Sequence, residues 1–172
     1  MTLRTIHIIK VNNKYVQEKQ RRLDFLQMRE NMETQENMND IKRYFSQECF
    51  ASNSGMDLTF VSKGYAKAEM KIEKKHLNIL GSVHGGAIFT LADMVFAAAS
   101  NSHGNVAVAI NVDIAYVKAA IKGTLFAEAK ETSINPKIST YVVNVTDEEG
   151  DTVAIFNGMA YRKKNKLEIP EE

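Results

Sequence analysis

Apolar residues follow two different periods along this chain, and together they predict a mixed α+β domain. Between Tyr65 and Ile72, apolar and polar residues alternate, as in a strand with one buried face. Further extended runs cover residues 58–61, 106–117, 124–133, 138–147 and 152–162. Residues 87–99 are apolar almost throughout, which is typical of a helix covered on most of its faces. This order predicts an antiparallel sheet wrapped around one long central helix.

The first 38 residues differ from the rest, because they are mostly polar and charged with apolar residues in loose helical spacing. They form either a helical N-terminal extension or the product of a start codon placed too early, with the natural start at Met32 or Met38. Apolar residues within 40–53 predict one amphipathic helix there. We therefore expect an extension over 1–38, one domain over 39–164 and a polar tail over 165–172.

Composition excludes several classes of function. The 22 Lys and Arg against 21 Asp and Glu give a net charge of +1, which offers no reason to expect nucleic acid or an anionic membrane as a partner. Cys49 is the single cysteine, so no intrachain disulfide can form and a cytoplasmic location is expected. The four histidines lack the spacing of metal ligands, and no metal site is expected. The apolar run at 87–99 is too short to span a membrane.

Asp93 is the one acidic or basic residue, histidines aside, between Lys75 and Asp113, and it lies in the middle of the apolar helix. An ionised carboxylate in such a helix is costly unless it is paired or hydrogen-bonded. Asp93 could cap a neighbouring group or lie on a narrow solvent-facing stripe. We favour the alternative that it faces a cleft as a general base or nucleophile.

The start of the predicted helix carries two glycines, Gly85 and Gly86, directly after His84. The backbone N–H groups at this position are unpaired, and glycine allows a ligand carbonyl to approach them as in an oxyanion hole. Gly85 and Asp93 are eight residues apart, or ~12 Å along a helix. One carbonyl cannot touch both within one helix, so the spacing predicts a site shared between two subunits of a homo-oligomer.

The run Asn78–Asp93, with its Asn-x5-His-Gly-Gly pattern followed by Asp93, resembles the hallmark of hotdog-fold thioesterases of the phenylacetic-acid-degradation subfamily. The resemblance continues to Tyr161-Arg162 and covers about residues 40–164. It implies a hotdog fold in a homotetramer of two dimers. It also implies hydrolysis of acyl-CoA or aryl-acyl-CoA without a metal or any cofactor, since coenzyme A is part of the substrate.

The resemblance also implies roles for individual residues. Asp93 would activate water or attack the thioester carbon, and the Gly85 N–H would polarise the thioester carbonyl. Asn78 would position the nucleophile, and His84 and Gly86 would line the substrate site. A packed histidine at 84 and a simple turn residue at 78 remain open alternatives.

Two further candidates concern substrate binding. Some relatives carry Ser or Thr on the strand after the helix, but the equivalent position here is Ala109, so Asn111 is expected to substitute. Arg162, with Lys163 and Lys164, could contact the phosphates of coenzyme A, although such a cluster is often only solvated.

Two other functions are considered. A non-catalytic acyl-CoA-binding hotdog module would not need Asp93. A hotdog dehydratase would place a histidine–carboxylate pair at the helix, and no histidine occurs within residues 85–102. The sequence therefore favours the hydrolase.

Overall fold

The computed structural model describes the backbone of residues 3–170 and the side chains of residues 20–29, 31, 32, 35 and 38–170. Its helices are α1 (Leu3–Ser46), α2 (Cys49–Asn53), a short 3₁₀ helix (Lys74–His76) and α3 (Gly85–Asn101). Its strands are β1 (Met56–Ser62), β2 (Tyr65–Lys71), β3 (Asn105–Tyr116), β4 (Thr124–Ile134), β5 (Ile138–Thr146) and β6 (Thr152–Lys166). The chain divides into two compact units, Met1–Asn37 and Met38–Glu172.

The six strands form one antiparallel sheet in the order β1-β2-β4-β5-β6-β3, and α3 contacts every one of them. The alternation predicted for β2 is confirmed, because Ala66, Ala68 and Met70 are buried while the intervening residues are more exposed. Leu91, Val95 and Phe96 of α3 are buried in the core that the helix forms with the sheet. The predicted α+β fold, with a sheet wrapped around one long helix, is confirmed.

Gly158 explains how closely α3 approaches the sheet. A Cβ at this position in β6 would lie 2.6 Å from the Phe96 ring, which is closer than atoms can pack. The glycine therefore leaves room for an aromatic cluster in which Phe96 contacts both Tyr141 and Phe156 at 5.5 Å between ring centroids. This packing fixes α3 against the sheet.

The single helix predicted over residues 40–53 is wrong, because the chain breaks after Ser46 and starts again as α2 at Cys49. Glu48 lies at the break and starts the second helix. Its backbone is extended, and its carboxylate caps α2 by accepting hydrogen bonds from the N–H groups of Phe50 and Ala51. The last strand also extends further than predicted, to Lys166 instead of residue 162.

Candidate active site

The first turn of α3 leaves one backbone donor open. The Nδ1 atom of His84 accepts a hydrogen bond from the Gly86 N–H at 2.9 Å, and the His84 carbonyl accepts those of Ala87 and Ile88. The Gly85 N–H donates to no other described residue. Gly85 rather than Gly86 is therefore the donor available to a ligand at the positive end of the helix dipole.

Tyr116, at the end of β3, lies directly on this turn. Its hydroxyl donates a hydrogen bond to the Gly85 carbonyl at 3.0 Å. A Cβ on Gly85 would lie 3.1 Å from the ring carbon Cζ of Tyr116, so the glycine also makes room for the tyrosine. From the sequence, the glycine at position 85 was explained only by the approach of a ligand carbonyl, and the contact with Tyr116 was not predicted.

Asp93 lies on the same side of α3 as Gly86, Thr90 and Ala97, because these residues are spaced by three or four positions. The aspartate is half-buried, and its carboxylate makes no hydrogen bond or ion pair within the described part of the chain. Burial raises the pKa of Asp93 above its usual value of 3.8, and the negative charge of Glu48 raises it further. Asp93 is thus an unpaired carboxylate with increased basicity.

A cavity of about 320 Å³ surrounds Asp93. Most of its lining is apolar and comes from the end of α1, from α2 and from α3. The lining residues are Phe45, Glu48, Phe50, Ala51, Phe89, Thr90, Asp93, Met94 and Ala97. We call this space the Asp93 cavity.

A second cavity, of about 660 Å³, lies at the start of α3 and contains His84, Gly86 and Tyr116 in its wall. It shares Phe50, Phe89 and Thr90 with the Asp93 cavity, so the two cavities adjoin along one side of α3. Lys75 also lines this larger cavity. The helix therefore borders two largely apolar cavities, and the one at Asp93 is the more apolar of the two.

Asn78 lies in the loop before α3, where it organises its own turn. Its Oδ1 accepts hydrogen bonds from the N–H groups of Leu80 (2.9 Å) and Ser82 (3.3 Å), and its Nδ2 donates to the Ser82 hydroxyl. Asn78 is not among the residues lining either cavity. These contacts agree with the alternative that Asn78 is a simple turn residue. A role for Asn78 in positioning a nucleophile stays a prediction.

The structure does not bring Asn111 and Arg162 to these cavities. Asn111 lines a separate depression on the sheet together with Thr140 and Asn157. The Arg162 guanidinium donates to the Asn135 carbonyl at 2.8 Å. A register shift between Ala109 and Asn111 in the β3–β6 pairing changes the order of side chains here, which residue spacing alone does not reveal.

Glu48 is the residue of the site that the sequence did not indicate. It is 45 positions before Asp93, and a glutamate is not among the residues usually favoured as an N-cap. Among the side chains that the structure describes, no group of three His, Cys, Asp or Glu could hold a metal ion. No described helix is both long and apolar enough to cross a membrane.

Comparison with known proteins now defines the class. A family model described as the thioesterase superfamily matches residues 80–154. A putative esterase of Archaeoglobus fulgidus is 48% identical over 103 residues, which are 59% of this chain and 67% of the relative. The acyl-coenzyme A thioesterase PaaI of Escherichia coli is 32% identical over 119 residues, covering 69% of this chain and 85% of PaaI.

Solved structures agree with this relationship. The E. coli PaaI protein from the phenylacetic acid degradation operon superposes with a TM-score of 0.74 at 28% identity, covering 78% of this chain and 99% of that one. A Thermus thermophilus PaaI structure gives a TM-score of 0.65 at 32% identity, covering 67% and 100%. This chain belongs to the thioesterase superfamily, within its hotdog-fold PaaI type, and is a thioester hydrolase. The family predicted from residues 78–93 is confirmed.

Proposed function

We propose that this protein hydrolyses acyl-CoA or aryl-acyl-CoA thioesters to the free acid and coenzyme A, with Asp93 as the catalytic carboxylate. The observation that carries the proposal is the unpaired Asp93 carboxylate in a largely apolar cavity. A protein keeps such a costly group where chemistry requires it. The relationship to an acyl-coenzyme A thioesterase supplies the substrate class.

The reaction proceeds by addition to the thioester carbon. Asp93 either removes a proton from an attacking water or attacks the carbon itself, and both routes give a tetrahedral intermediate. In both cases the carbonyl oxygen gains negative charge, and the open Gly85 N–H donates a hydrogen bond to it. The carbon–sulfur bond then breaks, and coenzyme A leaves as a thiolate that takes up a proton, from protonated Asp93 on the water route or from solvent on the nucleophilic route. On the nucleophilic route this breakage leaves an Asp93–acyl anhydride, which water then hydrolyses to the free acid. No step in this scheme uses a metal or a further cofactor.

We propose further that each site combines Gly85 of one subunit with the partner's Asp93. The ~12 Å between these positions along α3 supports this arrangement. Small side chains at Gly86, Thr90 and Ala97 would permit a second α3 to approach in the antiparallel direction. A twofold axis near Thr90 would place Gly86 of one helix opposite the partner's Asp93.

The edge of the sheet supports a homo-oligomer as well. Among the described residues, β3 pairs with β6 on one side only, and it presents exposed Val108 and Ile110 over a strand of 12 residues. A long apolar edge strand of this kind normally pairs with another chain or is covered. We propose a dimer, assembled further into a tetramer, and expect it in the cytoplasm.

Thiol release from a panel of CoA esters tests the function. Asp93→Ala and Asp93→Asn should lose ~10²-fold or more in kcat/KM, because the base or nucleophile is removed. Asp57→Asn, an exposed aspartate on β1, is the matched control and should retain normal turnover. Near-normal hydrolysis by a folded Asp93 variant would refute the assignment.

A further inference from the structure

The Asp93 cavity contains a second carboxylate. Glu48 and Asp93 are the acidic groups in its wall, and no basic side chain is among its described lining residues. Phe45, Phe89 and Met94 supply much of the remaining surface. The cavity therefore combines an apolar wall, suited to a hydrocarbon group, with two carboxylates and no basic side chain in its described lining.

The Glu48 carboxylate is fixed in place. Its Oε1 accepts a hydrogen bond from the Phe50 N–H at 2.9 Å, and its Oε2 accepts one from the Ala51 N–H at 2.8 Å. Hydrogen bonds to an ionised group are about twice as strong as neutral ones, and two of them hold both oxygens. These two hydrogen bonds hold the Glu48 carboxylate at the cavity wall.

We propose that Glu48 determines specificity, restricting the acyl group to uncharged aryl or alkyl chains and rejecting acyl groups that end in a carboxylate. The inference rests on the proposed function, since Asp93 must lie at the thioester carbon for the acyl group to enter its cavity. The apolar wall then contacts the chain. A terminal carboxylate would bring a further negative charge beside Glu48 and Asp93, and no basic side chain among the described lining residues would offset it.

Two CoA esters with the same number of acyl carbons test this proposal. Pentanoyl-CoA ends in a methyl group, whereas glutaryl-CoA ends in a carboxylate. The wild type should prefer pentanoyl-CoA by about 100-fold or more in kcat/KM, and Glu48→Gln should lower this preference about 10-fold. The ratio is the informative quantity, because any effect of Glu48 on Asp93 itself alters both reactions alike.

Two variants serve as checks. Glu48→Ser removes the charge but retains a favourable N-cap for α2, so it separates charge from helix capping and should lower the ratio as Glu48→Gln does. Glu69→Gln removes an exposed carboxylate from β2, and it should leave the ratio unchanged. An equal change in Glu69→Gln would show a general effect of net charge and overturn the proposal.

Other outcomes are also decisive. Comparable wild-type rates on both esters would overturn the proposal without any variant. An unchanged ratio in both Glu48 variants would do the same. If Asp93→Asn is inactive but the preference for pentanoyl-CoA over glutaryl-CoA is unchanged in the Glu48 variants, the specificity proposal fails and the proposed function stands. If Asp93→Asn remains active, both the proposed function and the specificity proposal fail.

Discussion

At Asp93, basicity and protein stability oppose each other. Burial and the neighbouring charge of Glu48 raise the pKa of Asp93, and the same two effects make its ionised form destabilising to the fold. For a general base this cost is useful, because a higher pKa makes the Asp93 carboxylate a stronger base. Catalysis and stability should therefore respond in opposite directions when the charge is removed.

Asp93→Asn should make the protein more stable at pH 8. The folded-state pKa of Asp93 is raised, so its contribution to stability is present below the unfolded-state pKa and is lost as the pH rises through the folded-state value. The asparagine variant avoids this loss. The advantage in Tm should narrow as the pH falls toward 4.5. Scanning calorimetry at both pH values checks this, and a variant less stable than wild type at pH 8 would contradict it.

Gly85→Pro tests the oxyanion donor directly. Proline removes the N–H, yet the first helical position tolerates it, and His84 already has the extended backbone that precedes a proline (φ −63°, ψ 134°). Loss of one such donor typically reduces kcat by ~10²–10³-fold.

Gly85→Ala is the matched control, since its Cβ meets the Tyr116 ring as that of proline does, while the N–H is kept. Steady-state kinetics should therefore show a much larger loss in kcat for Gly85→Pro. Similar losses in the two variants would assign the effect to the Tyr116 contact instead.

At the scale of elements, hydrophobic pattern alone predicts α3 and the sheet because both bury one continuous surface. The alternation of apolar and polar residues in β2 indicates a strand, and the long apolar run around Leu91 indicates a buried helix. The break between α1 and α2 was missed because it depends on the Glu48 side chain and not on periodicity. The approach of Glu48 to Asp93 depends on tertiary packing, which spacing along the chain cannot reveal.

Helix α1 contains both the proposed extension and residues of the domain core. Met38 and Ile41 are buried in the same cluster as α3, with Ile41 at 0% exposure. A shortened chain that starts at Met38 should therefore remain folded, oligomeric and active.

Ile41→Ala in the full chain should lower the free energy of unfolding by about 2–5 kcal/mol.

Urea denaturation and size-exclusion chromatography check these two expectations. An insoluble or monomeric product from the shortened chain would show that residues 1–37 belong to the folded core or to a subunit interface. An Ile41→Ala variant as stable as wild type would mean that the end of α1 does not contribute to the core.

At the scale of the whole molecule, we propose that a single chain presents the parts of an active site without uniting them. Gly85 lines a depression beside Tyr116 and Lys118, separate from the Asp93 cavity. The edge strand β3 offers a surface for a second chain. The expectation of a partner subunit comes from the sequence, because it rests on helical rise, and it stays a prediction. The packing of the partner depends on surfaces that one chain's sequence does not specify.

Mixing two inactive variants tests the shared site most directly. Asp93→Asn and Gly85→Pro, combined 1:1 under conditions that exchange subunits, should form hybrids in half of the dimers. Each hybrid would have one intact site and one site with both lesions, so thiol release should recover to about a quarter of the wild-type rate. With exchange verified by mass spectrometry, no recovery would mean that Gly85 and Asp93 act within one chain and would contradict the account.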